Sequence, residues 1–154
     1  MKTSCQTAEM LQVGQTHSVS MSFSREQVDT YCALTRDRNA IHRELAAAQV
    51  RFPGISDIVV PGGLIQTTIS GVFGTDFPGD GALGLSFTPE RMRKPVCPGD
   101  LLRVTYEITR IKGQILEVDI RIDDGEGRRI STAKAKVLAP DATYRAWWES
   151  VGGV

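Results

Sequence analysis

Asp37-Arg38-Asn39-Ala40-Ile41-His42 sets a carboxylate and an imidazole five positions apart. An Asp and a neutral His that converge can hold one water and move protons to and from it. The chain has only 2 histidines, His17 and His42, so His42 is one of few candidate bases near neutral pH. On a continuous α-helix five residues turn through about 500°, which leaves the two side chains roughly 140° apart. Convergence therefore needs a turn between them, and Asn39 is a good turn residue. The same six residues also fit a plain reading, with Asp37 ending one helix and His42 starting the next.

The elements around this segment read as follows. Residues 13–23 suggest a strand, with Val19, Met21 and Phe23 on one side and Ser18, Ser20 and Ser22 on the other. Ser24-Arg25-Glu26-Gln27 has the capping-box form and opens a helix that runs to about Arg36, with Val28, Tyr31, Cys32 and Thr35 facing inward. A short helix covers about Arg43–Val50. Pro61-Gly62-Gly63 favours the start of another over 63–73, apolar on most sides and so expected to be buried. The second half is all strand: around 82–89, then 101–111, 115–123 and 128–139, the last three alternating strictly between apolar and polar residues. Asp124-Gly125-Glu126-Gly127 makes a hairpin turn. A period of two means an antiparallel sheet with one wet and one covered face. One buried helix under long one-sided strands is an α+β arrangement in which the sheet wraps the helix. Residues 1–12 read as a loose lead-in. Residues 140–154 read as a tail with both tryptophans, expected on the outside of the sheet or against a neighbouring subunit.

A chain of 154 residues fits a single domain, here with a core over about 13–139 and a tail over 140–154. The 18 basic and 18 acidic residues cancel, which argues against a nucleic-acid surface. No apolar run approaches the roughly 18 residues of a membrane span. Met1 to Val13 lacks the basic start and apolar stretch of a secretory signal, so a cytoplasmic location is expected. Cys5, Cys32 and Cys97 contain no C-x-x-C pair, so neither a disulfide framework nor a zinc site is expected.

Three segments, in order, carry a resemblance. Leu34-Thr35-Arg36-Asp37-Arg38-Asn39-Ala40-Ile41-His42 is similar to a pattern T-G-D-x-N-P-(I/L)-H. Pro61-Gly62-Gly63-Leu64, Ser70-Gly71 and Phe77-Pro78-Gly79 follow, against H-G-M-L, S-G and L-P-G. Phe87 through Lys94-Pro95-Val96 and Pro98-Gly99-Asp100-Leu101 are like a strand junction F-x-x-P-V-x-x-G-D. Over about 15–139 the chain resembles the MaoC-like family of hot-dog hydratases and dehydratases, in particular the single-domain (R)-specific enoyl-CoA hydratases. It departs at Arg36, where Gly is common, at Ala40, where Pro is usual, and at Pro61 and Gly63, where His and Met are common. The lost His and Met side chains reshape the acyl pocket in that reading.

The resemblance implies a hot-dog fold and hydration of trans-2-enoyl thioesters to (R)-3-hydroxyacyl thioesters, with the reverse dehydration, using no metal and no cofactor. Asp37 and His42 would share one water, Asp37 as its main base and His42 positioning it and taking part in proton transfer. The Gly62 N–H, at the start of the buried helix, would stabilise the thioester oxygen. Asn39, Ser70 and Gly63 come over on the substrate side, Asn39 also fixing the loop. Ser70 could instead be a buried Ser bonded back to its own helix. Arg91-Met92-Arg93-Lys94 could meet the phosphates of coenzyme A or of a carrier, or be a solvated strand end. The implied partners are an acyl-CoA or acyl-carrier thioester and a second copy of the chain, as a homodimer or dimer of dimers. Two alternatives stand beside this: a hot-dog thioesterase, and a non-catalytic acyl-thioester binding or assembly module.

Overall fold

The alternating segments form the sheet on which everything else is placed. In the computed structural model, which describes residues 2–153, the strands are β1 (Thr16–Met21), β2 (Leu83–Pro89), β3 (Leu102–Lys112), β4 (Ile115–Asp124) and β5 (Arg129–Leu138). They form one sheet in the order β1-β3-β4-β5-β2, with every neighbouring pair antiparallel. Val104, Tyr106 and Ile108 of β3 and Leu116, Val118 and Ile120 of β4 are buried on the covered face. On the wet face the cross-strand charges pair: Arg121 with Glu107 at 3.6 Å, Lys134 with Asp119 at 3.2 Å, Lys136 with Glu117 at 3.7 Å. Exposed pairs of this kind contribute at most about 1 kcal/mol each, so the covered face carries the stability.

Four α-helices and two 3-10 turns join the strands among the described residues, the α-helices being α1 (Arg25–Thr35), α2 (Leu45–Arg51), α3 (Gly62–Thr75) and α4 (Ala142–Ser150). The sheet wraps α3, which buries Ile65, Ile69 and Phe73. The buried Tyr106 hydroxyl donates to the Ile69 carbonyl at 2.8 Å and ties the middle of the helix to the centre of β3. Burial pushes the Tyr106 phenol well above its ordinary range, so it stays a neutral donor. The opposite side of α3 differs from the expectation of a helix covered on most sides. Thr67, Ser70, Gly71 and Gly74 are exposed in the single chain, because this side is made of small and polar residues spaced at three and four.

The capping box at Ser24 forms as expected: the Ser24 hydroxyl accepts from the Gln27 amide and the Gln27 side chain accepts from the Ser24 amide. Of the inner stripe of α1, Val28 and Cys32 are buried and Tyr31 is half-buried. Thr35 is instead exposed, its hydroxyl bonded to the Tyr31 carbonyl.

Both ends are better held than the sequence suggests. The lead-in buries Cys5, Thr7, Ala8 and Leu11, and its backbone bonds to the turn after α3, from the Ser4 amide to Thr75 and from the Gln6 amide to Pro78. The tail is α4, and it packs on this lead-in and not on the outer face of the sheet. The Trp148 indole donates to Thr3, Arg145 donates to the Cys5 carbonyl, and the Tyr144 hydroxyl donates to Asp80. Periodicity in residues 1–12 is too weak to signal this, since their burial depends on α4, more than 130 positions away.

Candidate active site

The Asp37–His42 segment is shaped by how α1 stops. Arg36 takes the left-handed conformation (φ 59, ψ 26), and the amides of both Arg36 and Asp37 turn back to the Cys32 carbonyl. This left-handed stop combines the 6→1 bond of the Schellman motif with the 5→1 bond of the simpler αL motif. It delivers Asp37 immediately past the helix, where its carboxylate accepts from the Asn39 amide at 2.9 Å. Asn39 then caps a single 3-10 turn, Ala40–His42, its side chain accepting from the Ile41 amide at 3.4 Å. The two turns together do what a continuous helix could not. They bring Asp37 Oδ2 and His42 Nε2 to 3.7 Å.

His42 is buried, with 8% of its surface exposed, whereas the Asp37 side chain is 33% exposed. His42 Nδ1 lies 2.6 Å from the Val59 carbonyl. A carbonyl can only accept, so the proton of a neutral imidazole sits on Nδ1 and the Nε2 lone pair faces Asp37. Two acceptors 3.7 Å apart cannot bond to each other directly. One water about 2.8 Å from each could donate to both. Chemically, the arrangement has what is needed to hold a water and take a proton from it.

The segment that holds His42 also leads into α3. The Val59 amide donates to the Ile41 carbonyl at 2.9 Å, and Val60 and Pro61 then run into Gly62. Pro61 supplies no side-chain cap. The amides of Leu64 and Ile65 turn to the Pro61 carbonyl at 3.0 and 3.3 Å, which leaves those of Gly62 and Gly63 without a backbone partner among the described residues. A Cβ added at Gly62 would meet nothing within 4 Å. The Gly62 amide and the positive end of a 14-residue helix thus lie beside open space, three residues from the carbonyl that holds His42, while the next amide, that of Gly63, lies beneath Tyr31.

The remaining expected residues fall into place unevenly. Asn39 spends its side chain on the loop. Gly63 is packed under Tyr31. Ser70 lies two turns along α3, exposed, and makes no hydrogen bond to its own helix among the described residues, unlike Thr67, Thr68 and Thr75. Lys94 of the basic run is held by Asp124 at 2.7 Å, while Arg91 and Arg93 line an open hollow with Ser131 and Thr132. Burial first, then the Asp37 charge, pushes the Cys32 thiol upward, and burial does the same for Cys5 and Cys97, so none of the three is an activated nucleophile. Two groups were missed. The Val59 carbonyl was one, because a backbone acceptor 17 residues away leaves no mark in the sequence. Tyr31 over Gly63 was the other, and there the glycine standing at a position where Met is common was a signal.

No helix among the described residues is long and apolar enough to cross a membrane, and no group of three His, Cys, Asp or Glu among them could hold a metal ion.

Comparison with known proteins agrees with this fold. No family model matches the chain. The (R)-specific enoyl-CoA hydratase of Aeromonas caviae is 30% identical over 137 residues, covering 87% of this chain and 99% of that protein. A 3-hydroxybutyryl-CoA dehydratase of Methylorubrum extorquens is 36% identical over 104 residues, covering 67% of this chain and 64% of its own length. Among solved structures, the A. caviae (R)-hydratase superposes with a TM-score of 0.78 at 29% identity, covering 86% of this chain and 100% of that one. The unliganded R-hydratase PhaJ1 of Pseudomonas aeruginosa reaches 0.81 at 24% identity, covering 92% and 90%, a likeness of fold. A first relative matched along nearly its whole length, on the fold that the motifs call for, settles the lineage: the chain belongs to the MaoC-like hot-dog hydratase and dehydratase family, with the (R)-specific enoyl-CoA hydratases.

Proposed function

We propose that this protein hydrates trans-2-enoyl thioesters of coenzyme A to (R)-3-hydroxyacyl thioesters and catalyses the reverse dehydration. The observation that carries the reading is the 3.7 Å convergence of Asp37 with a His42 whose Nδ1 is committed to the Val59 carbonyl. In hydration Asp37 draws a proton from the shared water as its oxygen bonds to C3. The C2=C3 electron pair moves toward the thioester, and negative charge builds on its oxygen. The Gly62 amide meets that charge, and a preorganised donor of this kind contributes about 3–4 kcal/mol. C2 then takes a proton through the Asp37–His42 pair, which restores the thioester. Asn39 acts by holding the turn, and Ser70 lies on the substrate side of α3.

The assembly we propose is a homodimer. β2 is an edge strand whose outer backbone is unpaired, and it exposes Leu83 and Leu85 at 60% and 51%. The small exposed stripe Thr67-Ser70-Gly71-Gly74 of α3 lies on the helix beside it. A second copy of β2 would extend the sheet and cover both.

Loss of the conjugated enoyl absorbance when the protein meets crotonyl-CoA tests the reaction. Turnover that disappears in Asp37→Asn and in folded His42→Ala supports the assignment. Full activity in either variant refutes these roles, and release of free thiol in place of hydration would point to a thioesterase.

A further inference from the structure

The phenol of Tyr31 is a polar group beside the proposed site that the motif does not account for. It sits on the inner side of α1, half-buried, with its ring against the core. Its hydroxyl lies over the first turn of α3. A Cβ added at Gly63 would overlap the Tyr31 hydroxyl oxygen and stand 3.1 Å from Cζ. Position 63 therefore accepts no side chain while Tyr31 is where it is. The same test at Gly62, one residue earlier, meets nothing within 4 Å. The hydroxyl has no hydrogen-bond partner among the described residues, although the ring beneath it is packed. A half-buried hydroxyl held this way is satisfied by water or by a ligand.

The neighbouring groups narrow the ligand. The Gly62 and Gly63 amides have no backbone partner, and α3 adds its positive end. The phenol can donate into the same space. Donors gathered without an acceptor call for an oxygen that carries, or acquires, negative charge.

We propose that Tyr31 touches the substrate: its hydroxyl donates to the thioester oxygen alongside the Gly62 amide, and Gly63 stands where Met is common because the phenol occupies that side chain's space. The inference rests on the hydratase reading. It makes Tyr31 a further oxyanion donor, strongest when the water oxygen bonds to C3 and the electron pair shifts onto the thioester oxygen. Its removal should therefore lower kcat more than it raises KM.

The test is Tyr31→Phe in the full chain, with crotonyl-CoA turnover, thermal melting, and the infrared carbonyl stretch of bound butyryl-CoA, which cannot react. Because the hydroxyl has no protein partner, melting should not change. We expect kcat to fall about 100-fold with KM changed only a few-fold, and the carbonyl stretch to move back toward its unbound frequency. Gly63→Ala should push the phenol aside and mimic this loss, and the double variant should be no worse than either single one. Unchanged kcat and an unchanged stretch overturn the proposal, as do strictly additive losses or a melting point lowered by Tyr31→Phe. Failure of the hydratase reading looks different: wild-type protein then binds butyryl-CoA without turning over crotonyl-CoA, and the stretch still decides whether Tyr31 meets the thioester.

Discussion

Asp37→Asn separates the chemistry of the site from its architecture, because the two carboxylate oxygens have different work. Oδ1 accepts the Asn39 amide at 2.9 Å and sets the turn, and an asparagine carbonyl can do the same. Oδ2 faces His42 Nε2 at 3.7 Å, and an amide there cannot take a proton from water. The stability cost should be small. The side chain is 33% exposed and faces the lone pair of a neutral His42, so no ion pair is broken. The carboxylate also sits at the negative C-terminal end of α1, and its removal there returns about 0.3–1 kcal/mol. Melting should stay within about 4 °C of wild type, in either direction. The rate should behave otherwise. A general base contributes about 10²- to 10⁴-fold, or about 3–5 kcal/mol of barrier. The assay is loss of the crotonyl-CoA enoyl absorbance, read beside a denaturation curve on the same sample. A rate within tenfold of wild type refutes Asp37 as the base. A lost rate accompanied by a melting point lowered by much more than 4 °C refutes the separation, since the turn would then have failed together with the chemistry.

Three further outcomes follow from single observations. Arg36 holds a left-handed backbone that costs a side-chain-bearing residue about 1 kcal/mol, so Arg36→Gly should raise stability by up to that amount in chemical denaturation, with hydration unchanged. The Asp124 carboxylate accepts first from Lys94, and also from the Arg128 and Glu126 amides and the Arg128 side chain, which hold its pKa well below the ordinary carboxylate range. A lowered folded pKa stabilises above the unfolded value and is lost as pH falls, because the unfolded chain binds the proton first. Asp124→Asn should therefore weaken the fold at neutral pH and flatten the loss of stability below about pH 4, measured by melting across pH. Leu85→Lys on the exposed edge strand should shift sedimentation from dimer to monomer, and a wild-type protein that sediments as a monomer rules out the proposed assembly.

Where the chain's signals are local, the sequence was legible. Ser24-Arg25-Glu26-Gln27 forms the cap it spells, and the alternation of Val104, Tyr106 and Ile108 against Arg103 and Thr105 is the covered and wet face of β3. The Asp37–His42 pair was legible as residue types at a spacing that demands a turn. What the turn would be made of was not, since Arg36 takes a conformation usually left to glycine and only the Cys32 carbonyl explains why the chain accepts it. The exposed side of α3 was misread because hydropathy counts Gly71 and Gly74 among uncharged residues, whereas a helix face with no side chains buries little by itself. The packing of the lead-in under α4 lay outside any local pattern.

The substitutions around the site make sense together. Asp37, Asn39 and His42 keep the groups that need a water, and Gly62 keeps a bare amide in front of open space. The departures at positions 36, 61 and 63 touch none of these groups. Arg36 takes the left-handed stop at a cost in backbone energy, and Asp37 leaves α1 directly after it. Pro61 offers no side-chain cap, but its carbonyl takes the Leu64 and Ile65 amides, so α3 starts at Gly62. Gly63 carries no side chain, and the Tyr31 hydroxyl fills the space that a Cβ there would take. On the proposed reading the reacting groups are all present, and the wall beside them carries the Tyr31 hydroxyl over a bare Gly63. Under the proposal for Tyr31, that hydroxyl would alter how the thioester is gripped without altering which bond is made.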